Sequence, residues 1–574
     1  MSRMVIAAAL VAGALSAQTP ATDARNVDLH HTDFHFSMPK YATLAEWEAH
    51  KAQLKRQILV AAGLSPLPEK TPLNAAISGR IERGDYSIEK VALETMPGYY
   101  LGGNLYRPLH PKGKVPAIVT PHGHWTYGRL ENSDGYSGQA LGINLARQGY
   151  VAFAYDMVGY NDTLQTGHRF TSPTYQLWSF TPLGLQLWNS IRALDFVESL
   201  PEVDGRRLAV TGASGGATQA FLLAAVDDRI GAAAPVNMVS FLMQGGCVCE
   251  NAPGLRIGTS NVEIAAMMAP RPMLLVSATG DWTHNVPHEE YPAVRSIYEL
   301  YRQPDKVAVV QFQAEHNYNR QSREAVYAFF RSQLLGVDST EKVAERGVEV
   351  ELLQDMLVWE GRSLPPNAVN QQQLFEEWKI SARKRVANHH ELMLDVFHAE
   401  WPREVNGARE GENIVLSRPG RGDRVPGVWL PGKGAATLIV HPDGSQAGRR
   451  DARVAELIRA GQPVLLIDAF QTGKAVAPRD LNKQFISTFN ASDDANRVQD
   501  ILTALRFLDA QHAGTLAVLA IGKAGAWARY AKAMAPIDVT LTADTGSCPS
   551  SDADFVNNLF VPGVQLVAEP CPSQ

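Results

Sequence analysis

The chain of 574 residues lacks an excess of positive charge. It has 53 lysine and arginine side chains against 59 aspartate and glutamate side chains, a formal net charge of −6. Proteins that bind nucleic acid present a basic face to the phosphates, so nucleic acid is not an expected partner. Hydrophobic residues make up 45% of the chain and charged residues 20%, an ordinary globular composition. The length predicts two or more domains rather than one.

Long apolar runs are also missing, except at the N-terminus. There a basic start, Met1–Met4, precedes a short apolar core, Val5–Leu15, and small residues up to Ala17. This layout is typical of a cleavable secretory signal and is too short to span a bilayer. We therefore predict a signal peptide over residues 1–17 and a secreted or periplasmic protein without a membrane span.

Cysteine is scarce, and the four that occur, Cys247, Cys249, Cys548 and Cys571, include no Cys-x-x-Cys pair. Four thiols at this spacing do not suggest zinc, so neither a metal nor a cofactor is predicted. In an exported chain, Cys548 and Cys571 can form a disulfide bond near the C-terminus. A bond between Cys247 and Cys249 would close a very tight ring, and free or buried thiols are the alternative there.

What the chain does contain, from Val115 onward, is an alternation of apolar strands and helices. Predicted strands cover residues 115–120, 150–155, 207–211, 230–236, 272–278 and 307–312, and a long predicted helix covers 183–200. Such alternation is typical of a parallel sheet that helices cover on both faces. The predicted fold class is α/β with a doubly wound, mostly parallel sheet, in which the chemistry lies at the carboxyl ends of the strands.

One apolar run, Leu208–Gly216, ends in Gly-x-Ser-x-Gly, and Ala217–Ala225 after it is predicted to be helical. Strand, tight turn and helix in this order hold a serine with its Oγ exposed above the sheet. The N-terminus of the helix also favours negative charge that develops nearby. Ser214 is therefore the predicted nucleophile.

A serine nucleophile needs a base within hydrogen-bond reach, and the base needs a carboxylate that holds its tautomer. Asp281 follows the strand that ends at Ala278, and His316 follows the strand that ends at Phe312. The order Ser214, Asp281, His316 is that of the α/β-hydrolases, so these three residues are the predicted triad. The side chains left as alternatives for the acid and the base are Glu315, Asp156, His284 and His288.

The oxyanion of a tetrahedral intermediate needs two hydrogen-bond donors. The amide of Gly215, directly after the nucleophile, is one predicted donor, and the amide of His124 in an early strand-to-helix loop is the other. His122 and His124 can alternatively form a metal pair, although no third ligand stands at the usual spacing. The aromatic residues predicted to bind substrate, with ordinary core positions as the alternative, are Trp125, Tyr160, Trp178 and Trp282.

The motifs Gly102–Pro108, Pro121–His124, Asp156, Gly212–Gly216, Gly280–Asp281 and Glu315–His316 together resemble a known group. They look like the acetyl xylan esterase and dienelactone hydrolase-like branch of the α/β-hydrolase superfamily, over roughly residues 85 to 335. The resemblance implies hydrolysis of carboxylic esters, often small acyl groups on plant polysaccharides, without a cofactor. Glucuronoyl esterases of similar fold carry an arginine beside the nucleophile. Here the neighbours are Ala213 and Gly215, which disfavours a uronate ester.

The second half of the chain repeats the pattern of the first. Leu438–Gly444 parallels Ile118–Gly123. Leu457–Asp468 parallels Leu145–Asp156, and this pair and the pair Ala524 and Ser214 share an offset of roughly 310 residues. We read this as an internal duplication. Ala524 stands at the position of the nucleophile, and the counterpart of the acid would fall beyond residue 574, so the second copy is predicted to be truncated and without catalytic activity.

The predicted domains are a signal peptide (1–17), an N-terminal arm and helix (18–84), a catalytic hydrolase domain (85–338), a helical linker (339–413) and a degenerate hydrolase-like domain (414–574). The predicted protein is an exported serine ester hydrolase whose substrate is an ester, including esters of polysaccharides. Two alternatives stay open: a serine peptidase of the prolyl oligopeptidase type, and a non-catalytic carbohydrate-binding or scaffold protein. The peptidase is disfavoured because roughly 100 residues ahead of the sheet cannot build a propeller domain.

Overall fold

The computed structural model describes residues 21–337, 343–385, 389–512, 514–544 and 546–568. Its strands are β1 (Ala76–Arg83), β2 (Tyr86–Met96), β3 (Tyr99–Pro108), β4 (Val115–Val119), β5 (Val151–Tyr155), β6 (Val203–Ala213), β7 (Ile230–Val236), β8 (Met273–Ala278), β9 (Val307–Phe312), β10 (Asn406–Glu410), β11 (Asn413–Ser417), β12 (Val425–Leu430), β13 (Thr437–Val440), β14 (Val464–Ile467), β15 (Leu516–Ala520) and β16 (Val539–Ala543). Its helices are α1 (Ala24–Val27), α2 (Leu44–Ala61), α3 (Gly138–Arg147), α4 (Pro173–Leu177), α5 (Pro182–Ser199), α6 (Gly215–Val226), α7 (Asn261–Ala266), α8 (Glu290–Leu300), α9 (Arg320–Leu335), α10 (Leu353–Met356), α11 (Gln371–Lys384), α12 (His389–Phe397), α13 (Ser445–Gly448), α14 (Ala452–Arg459), α15 (Ile486–Phe489), α16 (Asp493–Gln511), α17 (Ala524–Met534) and α18 (Asp552–Asn558).

The described residues form two compact units. The larger unit comprises 30–398, 480–495 and 550–568, and the smaller unit comprises 21–29, 399–479 and 496–549. This division differs from the predicted domains, because 339–398 and two later segments belong to the larger unit. The prediction divided the chain linearly, whereas a compact unit is defined by packing between segments that can lie far apart in sequence.

The larger unit is built on a nine-stranded sheet in the order β1-β2-β3-β5-β4-β6-β7-β8-β9. Strands β1, β2, β3 and β5 pair antiparallel, and the strands from β5 to β9 in that order pair parallel. Helices α3, α5, α6 and α9 pack against the sheet, and β4, β5 and β8 are buried along their full length. The predicted α/β class with a mostly parallel sheet is confirmed, and the carboxyl ends of β6, β8 and β9 meet at one edge.

A buried guanidinium fixes the loop that follows β5. Arg129 is fully buried, donates to the carboxylates of Asp156 and Asp162, and donates through Nε to Asn104 Oδ1 at 2.8 Å. Asp162 also accepts from the amide of Val358 at 2.9 Å. Burial raises the pKa of Asp156 to about 6, against the opposing effect of the Arg129 charge. The network therefore joins the end of β5 to β3 and to the segment around Val358.

Helices α11 and α12, predicted as part of a linker, are packed elements of the larger unit. Trp378 in α11 is buried and donates its indole N–H to the carbonyl of Trp178 at 3.0 Å. Asp395 in α12 accepts from Arg56 Nε at 2.9 Å. The hydrophobic residues of these helices thus belong to the core of the larger unit.

The smaller unit contains a seven-stranded sheet in the order β10-β11-β12-β14-β13-β15-β16. Strands β10, β11, β12 and β14 pair antiparallel, and β14, β13, β15 and β16 pair parallel. Strand order and directions match those of β1 to β7 in the larger unit. The match supports the internal duplication, which stays a prediction.

Several sequence predictions concern the ends of the chain, the cysteines and a membrane span. The predicted signal peptide and Cys571 lie outside the described residues. Cys548 is disulfide-bonded, whereas Cys247 and Cys249 are free thiols. Across the described ranges, no helix combines the length and the apolar character needed to cross a membrane.

Replacing Arg129 with Met keeps much of the side-chain volume but removes the counter-charge of two buried carboxylates. We expect the free energy of unfolding to fall by about 3–5 kcal/mol, because buried charges lose their partner. Chemical denaturation followed by tryptophan fluorescence measures the change. The matched control is Arg320→Met, since Arg320 is exposed and pairs with Glu324 on the surface, and its loss should stay below about 1 kcal/mol. Equal losses in the two variants would contradict a stabilising role for the buried network.

Candidate active site

Ser214 occupies the turn between β6 and α6. Its backbone has φ 57° and ψ −128°, a strained conformation for a residue with a side chain. The turn is closed by two glycines at which a Cβ atom would collide with backbone: one on Gly212 would lie 2.5 Å from the carbonyl oxygen of Pro121, and one on Gly216 would lie 2.3 Å from the same oxygen. These contacts explain the spacing of Gly-x-Ser-x-Gly, because only glycine permits the close approach that the turn requires.

The predicted acid and base are hydrogen-bonded to each other. His316 Nδ1 donates to Asp281 Oδ2 at 2.9 Å, so His316 Nε2 is left to act as the base. The Asp281 side chain is 2% exposed and the His316 side chain 29%. The other Asp281 oxygen accepts from the amide of Thr283 at 2.7 Å. The carboxylate is therefore fixed and buried, while the imidazole is accessible to a substrate.

The alternatives for the acid and the base take other positions. Asp156 is committed to the buried Arg129 and to the side-chain amide of Asn161. Glu315, His284 and His288 are exposed, and His284 Nδ1 donates to the carbonyl of Asp281 at 2.7 Å. The pairing with His316 therefore favours Asp281 as the acid.

Two indole rings lie near the imidazole of His316. The Trp282 ring centroid lies 4.4 Å from that of His316, and the Trp125 ring is stacked at 6.4 Å with an interplanar angle of 8°. A Cβ atom on Gly123 would lie 2.5 Å from Trp125 and 2.9 Å from the Ser214 Cβ. Gly123 and Trp125 therefore connect the Ser214 turn with His316. Both tryptophans border the site, and their binding of substrate stays a prediction.

The two other aromatic residues predicted to bind substrate, Tyr160 and Trp178, lie in different surroundings. Tyr160 packs edge-on against the rings of His122 and His168, each with centroids 5.0 Å apart, next to the 122–125 loop. The prediction for Trp178 is wrong. Its ring is 1% exposed and its indole N–H donates to Asp552 at 3.0 Å, so it serves the core, and nothing in its local sequence separates a pocket indole from a core indole.

His122 fixes the loop that carries the second predicted oxyanion donor. The amide of Met157 donates to His122 Nε2 at 2.9 Å, so Nδ1 carries the proton and donates to the carbonyl of Gly123 at 2.7 Å. Burial lowers the pKa of His122 to about 3, which keeps this ring neutral. In the described part of the chain, no acceptor is recorded for the amides of Gly215 and His124, so both remain available to an oxyanion.

Sequence spacing did not indicate a group of nitrogen- and sulfur-bearing side chains around His124. No third partner stands near His122 and His124 in the sequence, but the fold brings His168, Cys247 and Cys249 next to the His124 ring. These residues are 44 and more positions away along the chain, so no spacing motif could indicate them. His122 itself is turned to the core and is not part of this group.

The smaller unit lacks the serine turn. Ala524 is the first residue of α17, and Lys523 before it has a helical backbone with φ −62° and ψ −16°. Gly522 takes the positive φ of 55° at this turn. The position that corresponds to Ser214 therefore lacks both the hydroxyl and the strained backbone.

Comparisons with known proteins identify the family of the chain. The family model described as Dienelactone hydrolase family matches residues 101–253. The solved structure of Methylesterase BT1017 is 31% identical, covers 60% of this chain and 75% of its own, and has a TM-score of 0.50. The chain belongs to the dienelactone hydrolase family. The match places the chain in the α/β-hydrolase superfamily and confirms the predicted enzyme class, a serine ester hydrolase.

Two further relatives are less similar to this chain. YtaP of Bacillus subtilis (strain 168), whose name describes it as a hydrolase, is 26% identical over 191 residues, which are 31% of this chain and 62% of YtaP. The chain thus matches less than two thirds of the length of that relative. The acetyl xylan esterase from Paenibacillus sp. R4 is 19% identical with a TM-score of 0.35, covering 53% of this chain and 98% of its own.

Replacing Asp281 with Asn should keep the shape of the site but hold His316 in the wrong tautomer. We expect kcat for a short-chain aryl acetate to fall by about 10⁴-fold with a small change in KM. The matched control is Glu315→Gln, next to the base, which should stay within roughly threefold of the unmodified enzyme because its exposed carboxylate makes no bond to His316. A larger loss in Glu315→Gln than in Asp281→Asn would assign the acid to Glu315 instead.

Proposed function

We propose that this protein is an exported esterase that removes small acyl groups, chiefly acetyl, from carbohydrate esters. The observation that supports it most is the His316–Asp281 hydrogen bond of 2.9 Å beside the Ser214 turn, with the rings of Trp125 and Trp282 next to the imidazole. Flat aromatic faces suit the apolar faces of sugar rings. Export follows from the signal-like sequence of residues 1–17.

The proposed reaction proceeds through an acyl-enzyme. His316 Nε2 takes the proton of the Ser214 hydroxyl as Oγ attacks the ester carbonyl, and Asp281 stabilises the imidazolium that forms. The amides of Gly215 and His124 donate to the oxyanion. His316 then gives its proton to the leaving alcohol. Water, activated by the same imidazole, releases the acid and restores Ser214.

A methyl ester of a carbohydrate acid is the second candidate substrate. The 31% identity with Methylesterase BT1017 favours it. Against it, Ala213 and Gly215 flank the nucleophile, so neither neighbour supplies a cation that would attract an anionic polyuronide. The chemistry at Ser214 is the same for both substrates, but the alcohol released is a sugar hydroxyl in the first case and methanol in the second.

The peptidase alternative receives no support from the N-terminal region. Between residue 30 and the start of β1, the described chain forms α2 and irregular segments and contains no propeller blades. Strong labelling by an ester-directed probe together with hydrolysis of prolyl peptide substrates would revive this alternative.

A fluorophosphonate probe tests the nucleophile directly. The full chain should be labelled at one serine, and Ser214→Ala should abolish both the label and at least 99% of aryl acetate hydrolysis, about a hundredfold or more. The matched control is Ser296→Ala on the exposed side of α8, which should retain both. An unlabelled folded protein, or full hydrolysis by Ser214→Ala, would refute the proposal.

The substrate class is tested by the product released. We expect acetate from acetylated xylan at a kcat/KM at least about tenfold above that for methanol from methyl-esterified pectin. The reason is that neither neighbour of Ser214 is a cation that would favour the anionic pectin chain. Ser214→Ala serves as the blank in both assays. The reverse ratio would assign the protein to methyl esters and overturn the acetyl proposal while leaving the triad intact.

A further inference from the structure

Four side chains converge beside the Ser214 turn. His124, His168, Cys247 and Cys249 each offer one nitrogen or sulfur atom, and all four atoms lie within 4.8 Å of one another. His124 Nε2 is 3.1 Å from both His168 Nε2 and Cys249 Sγ, and Cys247 Sγ is 3.4 Å from His168 Nε2. In a tetrahedral zinc site the ligand atoms are about 3.3–3.8 Å apart, as bond lengths of ~2.0–2.1 Å to nitrogen and ~2.3 Å to sulfur require. The three separations above lie within a few tenths of an ångström of that range, and none of the six exceeds 4.8 Å.

We propose that His124, His168, Cys247 and Cys249 bind one Zn²⁺ ion. Two sulfur and two nitrogen ligands suit zinc, whereas magnesium and calcium take oxygen ligands. Four protein ligands complete a tetrahedron, so the ion has a structural role and does not activate water. The site lies next to the proposed triad but is formed by different side chains.

One histidine is oriented as a metal ligand is. His168 Nδ1 lies 2.7 Å from the carbonyl oxygen of Val158, which can only accept, so Nδ1 carries the proton. The lone pair of His168 Nε2 then points into the cluster. Metal-binding histidines generally use the second ring nitrogen in this way, which fixes both the tautomer and the ring orientation.

The two cysteines are held in place by a buried loop. The Glu250 carboxylate accepts from the amides of Gly246 and Cys247, both at 3.0 Å, and the Asn251 side chain donates to the carbonyl of Cys247 at 2.9 Å. Cys247 is 3% exposed and Cys249 1%. Zinc binds cysteine as the thiolate, and two thiolates beside the carboxylate of Glu250 would need positive charge, which a divalent cation supplies.

The proposed ion connects three loops around the nucleophile. A Cβ atom on Gly215 would lie 2.7 Å from Cε1 of His124, so the imidazole that binds zinc packs on the residue after Ser214. His168 follows β5 and Cys247 and Cys249 follow β7, so the ion ties both of these connections to the 122–125 loop. By holding the His124 side chain, the ion also fixes the loop whose His124 amide is a predicted oxyanion donor.

Metal content of the full chain, purified without chelators and dialysed against zinc and then buffer, is the direct test. We expect about one zinc per chain in the unmodified protein and below about a tenth in Cys247→Ser/Cys249→Ser. The matched control, His288→Ala, removes an exposed histidine outside the cluster and should keep the full zinc content. Because metal content is independent of turnover, this result stands whether or not the esterase proposal holds.

Two further measurements on the unmodified protein do not depend on the folding of a variant. Cobalt in place of zinc should give thiolate-to-cobalt charge-transfer absorption, and removal of zinc by phenanthroline should lower Tm by several degrees, roughly 4 °C or more. Three results would overturn the proposal: less than about 0.2 zinc per unmodified chain, full zinc retention by the double cysteine variant, or a Cys247–Cys249 disulfide found by mass spectrometry in the purified protein.

Discussion

The site depends on one steric constraint, the close approach of three backbone segments at the end of β6. Ser214 holds a positive φ, and this strain, of order 1–3 kcal/mol, must be offset by the surrounding structure. Glycines at 212, 216 and 123 allow β6, α6 and the 122–125 loop to meet without side chains between them. A methyl group at any of these positions would push the loop away from the hydroxyl. The geometry of the site therefore depends on positions that carry no side chain.

Around this contact, buried polar groups hold each loop separately. His122 is kept neutral by burial and bridges Met157 and Gly123, and Arg129 binds the carboxylates that follow β5. Asp281 is fixed by the amide of Thr283 before it engages His316. None of these bonds involves the reacting atoms. They place the donors, the base and the acid in advance, so that little reorganisation is needed when charge develops in the transition state.

The sequence predicted those features that follow from local pattern. The predicted strands 230–236 and 307–312 have the observed bounds of β7 and β9. The triad order was predicted because each member follows an apolar strand. Strand β1 was missed, since its residues are mostly exposed and carry no apolar alternation. The burial of Trp178 and the cluster around His124 could not be predicted from the sequence for a common reason. Both depend on tertiary packing between distant segments, as the contact of His168 with Cys247 shows.

The turn before α17 shows what a serine site needs beyond a sheet of this strand order. There Gly522 carries the positive φ, and Lys523 and Ala524 lie in relaxed helical geometry. This turn therefore avoids the strain, of order 1–3 kcal/mol, that a positive φ places on Ser214. A serine introduced at position 524 would add a hydroxyl but not the backbone that presents Ser214 Oγ. Strand order alone therefore does not provide a nucleophile, because the backbone of the turn has to present it.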